Sequence, residues 1–131
     1  MKIRLTSVFV DDQDKALRFY TEVLGFVKKS DVTAGNYRWL TVVSPEEKDG
    51  TQLLLEPNGN PAAKSYQGSI FSQGIPAAMF FVDNIEMEYQ RLKNLGVKFT
   101  LGPTGTPGST IVIFDDTCGN LIQLTQMGRG G

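Results

Sequence analysis

In the stretch "TQLLLEP", Gln52 and Glu56 stand two residues either side of Leu54, a spacing that turns all three toward one face of a strand. A carboxylate there could serve as a general base if apolar walls raised its pKa. With the glutamine oxygen it could also contribute to an all-oxygen site for a hard cation such as Mg²⁺. One carboxylate is few for such an ion, and Glu56 precedes Pro57 at a strand end, where a solvated carboxylate is the commoner case. "YRWLTVV" supplies the single tryptophan, Trp39, beside Arg38. Trp39 could stack on a flat or cationic ligand, or fill a core or a dimer interface. Arg38 could clamp a carboxylate or be salt-bridged, and the sequence leaves the facing of both open. The chain has no histidine. Cys118 lies near Asp115 and Asp116, whose charge would raise its thiol pKa and argues against a nucleophile.

The elements that must position these groups fit one domain, 1–131, a length at which a core needs no staples. Apolar residues make up 40% and charged residues 21%, ordinary values that suggest neither disorder nor a membrane span. Thirteen basic residues against fourteen acidic ones leave a net charge of −1, which argues against nucleic acid or anionic lipid as a partner. A lone cysteine and no signal-peptide pattern before Val8 lead us to expect a cytoplasmic protein.

"IRLTSVFVDDQDKALRFYTEVLGF" reads as a strand, an Asp12 cap, and one helix of about thirteen residues ending at Gly25. "FFVDNIEMEYQRLKNLGVKF" repeats that order, with Asp83 as the expected cap and Glu86 in the capping-box position. Val10–Asp11 maps onto Val82–Asp83, and Leu24–Gly25 onto Leu95–Gly96, offsets of 72 and 71 residues. The chain is therefore expected to be a tandem duplication. Three strand candidates follow each helix: 26–32, 37–43 and 52–56, then 97–101, 110–114 and 121–126, with breaks at "SPEEKDG", "GPTGTPG" and "DDTCGN". The expected units are βαβββ, about 1–57 and 75–127, joined by a connecting segment at about 58–74.

"VDDQDKALRFYTEVLGF", "FVDN…YQRLKNLGV" and the closing "FDDTCGNLIQL" together resemble the vicinal-oxygen-chelate superfamily of glyoxalases, bleomycin-resistance proteins and extradiol dioxygenases. Thr117 replaces the proline of that family's closing motif. The resemblance covers nearly the whole chain. It implies an α+β fold in which two βαβββ units form a curved, open, barrel-like sheet of eight strands, helices outside, usually as a homodimer. It also implies four inward ligand positions for a divalent ion, which fall here on Leu5, Leu54, Ala77 and Gln123. Three carry no donor atom and the fourth is a neutral amide, so no metal cofactor is expected.

If Leu5 faces inward, strand alternation takes Ser7 and Phe9 with it; Ala77 brings Met79 and Phe81, and Gln123 brings Leu121 and Thr125. The opposite parity holds Leu53, Leu55, Ala78, Phe80, Val82, Ile122 and Leu124, nearly all apolar and suited to packing on helices. The expected ligand-binding set is Leu5, Ser7, Phe9, Trp39, Gln52, Leu54, Glu56, Ala77, Met79, Phe81, Gln123 and Thr125, with Glu56 the one weak catalytic candidate. Few polar groups among apolar walls make a small-molecule pocket. The leading expectation is a protein that binds or sequesters a small organic ligand. The alternatives are a metal-independent lyase or isomerase using Glu56 with Gln52 or Gln123, an enzyme with an unusual metal, and a partner protein whose cavity is filled.

Overall fold

Asp12 ends the first strand and starts the first helix. In the computed structural model, which describes residues 1–128, its carboxylate accepts the Lys15 amide at 3.0 Å, satisfying one of the orphan donors of a helix start. Strand β1 (Leu5–Val10) thus gives way to helix α1 (Gln13–Arg18), which widens into a π-helical turn over Phe19–Val23. The π turn replaces the single regular helix expected from apolar spacing. It buries two adjacent aromatics, Phe19 and Tyr20, with Tyr20 stacked on Phe26 at 6.4 Å between ring centroids. Gly25 then leaves the helix at φ 94°, and Gly96 makes the same exit in the second unit at φ 87°, a region where a side chain would be strained.

The first unit is completed by β2 (Val27–Ala34), β3 (Tyr37–Val43) and β4 (Gln52–Pro57), in the order β1-β4-β3-β2. β1 runs parallel to β4, and the other pairings are antiparallel. The Gln13 side chain donates to the carbonyls of Arg38 (3.0 Å) and Leu55 (2.9 Å), tying the first turn of α1 to β3 and β4. Beneath it Val8, Val10, Ala16, Leu40, Val42 and Leu55 close a dry core.

Residues 58–74 were expected to be connecting chain; most of them form a helix, α2 (Pro61–Ser72). Proline at the first helical position costs no hydrogen bond, and the Asn60 side chain accepts the Ala62 amide at 2.8 Å. The boundary between the two compact units, 1–66 and 67–131, falls within α2.

The second unit comprises β5 (Ala78–Phe81), α3 (Ile85–Asn94), β6 (Phe99–Thr106), β7 (Ser109–Asp115) and β8 (Leu121–Met127), in the order β5-β8-β7-β6, with β5 parallel to β8. The fold class is α+β, two tandem βαβββ units each built on a four-stranded sheet. Two local expectations are corrected. Asn84, not Asp83, caps α3, because Asn84 is the extended residue whose side chain meets the Met87 amide at 3.1 Å. "GPTGT" is strand, not loop: β6 runs through it with register shifts that absorb Gly102 and Pro103. No helix among the described residues is long and apolar enough to cross a membrane.

The loop between β7 and β8 is built around the buried Asp116, whose carboxylate accepts the Cys118 amide (2.8 Å), the Asn120 amide (3.0 Å) and the Asn120 side chain (2.8 Å). Gln67 of α2 donates to the Cys118 carbonyl and the Asn120 side chain, both at 3.1 Å. Thr117 sits at φ 64°, where a β-branched residue is strained and a proline ring cannot go. Thr117→Gly is expected to raise the thermal midpoint by relieving about 1 kcal/mol of strain, net of glycine's unfolded-state entropy, whereas Thr117→Pro should lower it sharply. Differential scanning calorimetry of the two variants checks both signs.

Candidate functional site

Parallel pairing of β1 with β4 sets Leu5 opposite Gln52, Ser7 opposite Leu54 and Phe9 opposite Glu56. Paired residues share a face, so these six lie together on the side of the first sheet turned away from the core of Val8, Val10 and Leu55. Thr41 pairs with Leu54, and Trp39 with Val32, which adds Tyr37, Trp39, Thr41 and Val32 to the same face. The facing left open by the sequence is thereby decided. Trp39, 36% exposed, looks outward with Glu56, while Arg38 looks back toward the helix side. There its guanidinium binds Asp31 through two 2.9 Å bonds and Asp14 through one of 2.6 Å. That bonding holds the Asp31 carboxyl below its ordinary value. Arg38 is occupied and is not a ligand clamp.

Tyr37, Val32, Leu5 and Trp39 are all exposed, an aromatic and aliphatic surface carrying two polar pairs. The Tyr37 hydroxyl donates to the Glu56 carboxylate at 2.6 Å, and the buried Thr41 hydroxyl donates to the Gln52 side-chain oxygen at 2.7 Å. Leu54 lies between these pairs but is only 6% exposed; it is packed rather than open to a ligand. Gln52 and Glu56 are four residues apart, about 13 Å along a strand. They share a face as expected, yet they cannot converge on one cation or one reacting atom.

In the second unit, Met79 pairs with Gln123 and Phe81 with Thr125, and Ile113 and Ile111 continue the same rows on β7. Met79 and Phe81 are 48% and 63% exposed. Gln123 spends its amide donor on the Thr125 hydroxyl at 3.1 Å, and Thr125 is closed off at 4%. Ala77, just before β5, donates its amide to the Leu121 carbonyl. The structure thus sets the expected residues on the coreward-opposite face of each sheet, and adds Val32, Tyr37 and Thr41, which sequence reasoning missed. Their signal was the alternation in "YRWLTVV", ambiguous because both parities of that strand carry large apolar residues.

A metal centre of the vicinal-oxygen-chelate kind does not fit these side chains. Leu5, Leu54 and Ala77 offer no lone pair, and Gln123 is a neutral amide already bonded to Thr125. Among the described residues no three cysteine or carboxylate side chains gather into a group that could hold an ion. The chemistry that remains is hydrogen bonding, stacking and one carboxylate–phenol pair. Glu56 pushes the Tyr37 pKa up to about 12, first through the hydrogen bond, then through burial and charge. Because the folded value lies above the ordinary 10.0, the pair stabilises the fold below that pH and loses its contribution as pH rises through about 12. Tyrosinate absorbance followed across this range is expected to show one residue ionising later than the others, and Glu56→Gln should return it toward the ordinary value.

Comparison with known proteins agrees with this frame. The family model for the glyoxalase/bleomycin resistance protein/dioxygenase superfamily matches residues 2–124. The protein YurT of Bacillus subtilis (strain 168) is 63% identical over 126 residues, 96% of this chain and 99% of its own. The crystal structure of UcmS2 superposes with a TM-score of 0.83 at 32% identity, covering 95% of this chain and 97% of that one. TnmS3, an antibiotic binding protein from Streptomyces sp. CB03234, does so with a TM-score of 0.77 at 30% identity, covering 97% and 96%. With the duplicated βαβββ units and the matched span together, the chain belongs to the glyoxalase/bleomycin resistance protein/dioxygenase superfamily.

Proposed function

We propose that this protein binds and sequesters a small organic ligand without a metal ion, and that the open face of the first sheet is the main part of its site. The observation that carries this reading is the joint exposure of Leu5, Val32, Tyr37 and Trp39 around the Tyr37–Glu56 and Thr41–Gln52 pairs. A large apolar surface with few, fixed polar groups is what a small-molecule site requires. Phe9 and Ser7 flank it on β1. Ala77, Met79, Phe81, Gln123 and Thr125 are proposed as the corresponding surface of the second unit. The likeness to TnmS3, which is an antibiotic binding protein, supports a small-molecule ligand, and the exposed rings of Tyr37 and Trp39 favour an aromatic one.

A second reading, a metal-independent lyase or isomerase, has one observation in its favour: an exposed carboxylate 2.6 Å from a phenol. A general base works best with a pKa near the working pH, and a phenol held near 12 is a poor acid there. Binding is the better match.

We also propose a homodimer, because the β2 and β6 strands end their sheets and gain cover from a second copy, and a cytoplasmic location, on the lone cysteine. Native mass spectrometry of protein purified without chelators is expected to give about twice the 14.4 kDa chain mass. It should show no stoichiometric transition metal; a monomer at micromolar concentration, or one metal per chain, overturns the respective part. Trp39 is the only tryptophan, so its fluorescence reports occupancy of the face directly. Trp39→Ala should weaken an aromatic ligand by roughly tenfold while leaving the thermal midpoint nearly unchanged. Unaltered affinity, measured by calorimetric titration with a hydroxylated polyaromatic compound, removes the face from the site.

A further inference from the structure

Where β1 and β4 begin, the open face runs into a cleft of about 240 Å³ lined by Arg4, Lys29, Asp49, Gly50 and Gln52. Gln52 belongs to both. Its backbone amide donates to the Arg4 carbonyl at 2.9 Å, which carries the β1–β4 pairing one step past Leu5 and fixes where the Arg4 side chain starts. The guanidinium of Arg4 makes no hydrogen bond or ion pair among the described residues. Lys29 reaches the cleft for a different reason. In β2, Lys28 pairs with Val42 and Ser30 with Thr41, so Lys29 is the extra residue of a bulge, a feature that re-aims a side chain out of the strand's alternation. Its ammonium meets Asp49 at 3.3 Å, but that carboxylate is fully exposed, and such a pair is worth little in water. The Gln52 side-chain oxygen is held by Thr41, which leaves its NH₂ as a donor beside the two cations.

The cleft therefore has two cationic side chains and an amide donor against one solvated carboxylate, while the far end of the same face, about 13 Å away along β4, ends in Glu56. The face is electrically polarised along β4. We infer that the cleft is an oxyanion subsite: it takes the carboxylate, or the equivalent sulfonate, of an aromatic ligand whose apolar body lies over Leu5 toward Trp39. The inference rests on the ligand-binding reading above and narrows it to acids.

Two dyes with one aromatic body separate the two claims: 8-anilino-1-naphthalenesulfonate carries an anion, and N-phenyl-1-naphthylamine does not. Each is titrated into the purified protein and read by energy transfer from Trp39, the single tryptophan, which reports dye bound to the protein. The sulfonate dye is expected to bind about five- to tenfold more tightly than the neutral one, the gain that two exposed charge contacts allow. The Arg4→Gln/Lys29→Gln double variant, altered only at exposed positions, should erase that gain and leave the neutral dye unchanged. About 0.5 M NaCl should do the same by screening. If the neutral dye binds and the sulfonate gains nothing, or its gain survives in the double variant, the subsite is wrong and the binding face stands. If only the sulfonate binds, dependent on Arg4 and Lys29, the subsite stands and the apolar face falls. If neither binds, both fall.

Discussion

A single helix can cover only one face of a four-stranded sheet, and each unit has one helix packed on its own sheet. Alternation along each strand then divides every sheet into a closed side and an open one. In the first unit the closed side holds Val8, Val10, Leu40, Val42 and Leu55; in the second it holds Val112, Phe114, Ile122 and Leu124. On the other side Leu54, Thr41 and Thr125 are buried, but the residues around them are spared from making the unit's own core. That freedom lets Leu5, Val32, Trp39, Met79 and Phe81 remain large, apolar and exposed. The Gln13 side chain, bonded to two strand carbonyls, fixes which side the first helix takes.

Three polar pairs on the open faces are formed between neighbours in the sheet. Tyr37 holds Glu56, Thr41 holds Gln52, and Thr125 receives Gln123. Such pairing orients each group at low entropic cost, so a ligand meets a surface already ordered for it. It also engages one Glu56 oxygen and the Gln52 oxygen in bonds to neighbouring hydroxyls. The side chains of Leu5, Leu54 and Ala77, which carry no donor atom, and the paired polar groups around them suit recognition by shape, stacking and hydrogen bonds.

Irregular backbone adds what regular alternation cannot. The β2 bulge frees Lys29 from the sheet's two-sided pattern, and the register shifts in β6 let a glycine- and proline-containing stretch stay in the ladder. The closing loop spends strain at Thr117 and recovers it through the three hydrogen bonds to buried Asp116. These features are local, but each depends on a partner strand or side chain far away in sequence.

The duplication, the βαβββ order, the Asp12 cap and the parity of β1, β4, β5 and β8 were all legible in the sequence, because each rests on local chemistry: apolar period, capping side chains and glycine exits. The absence of histidine was equally legible. The helix at Pro61–Ser72 was not, since its Pro, Gly and Asn content reads as loop until Asn60 caps it and Gln67 anchors on the Cys118–Asn120 loop. Asp83 and Asn84 are both capping residues, and only the backbone, extended at Asn84, chooses between them. The facing of Trp39 and Arg38 hung on a strand apolar on both sides, and pairing of Thr41 with Leu54 decided it. Arg4 and Lys29 were invisible as a pair: twenty-five residues apart in the chain, they meet at one cleft because strand pairing and a bulge bring them there. Local chemistry determines which elements form, and the pairing of distant strands determines which side chains share a site.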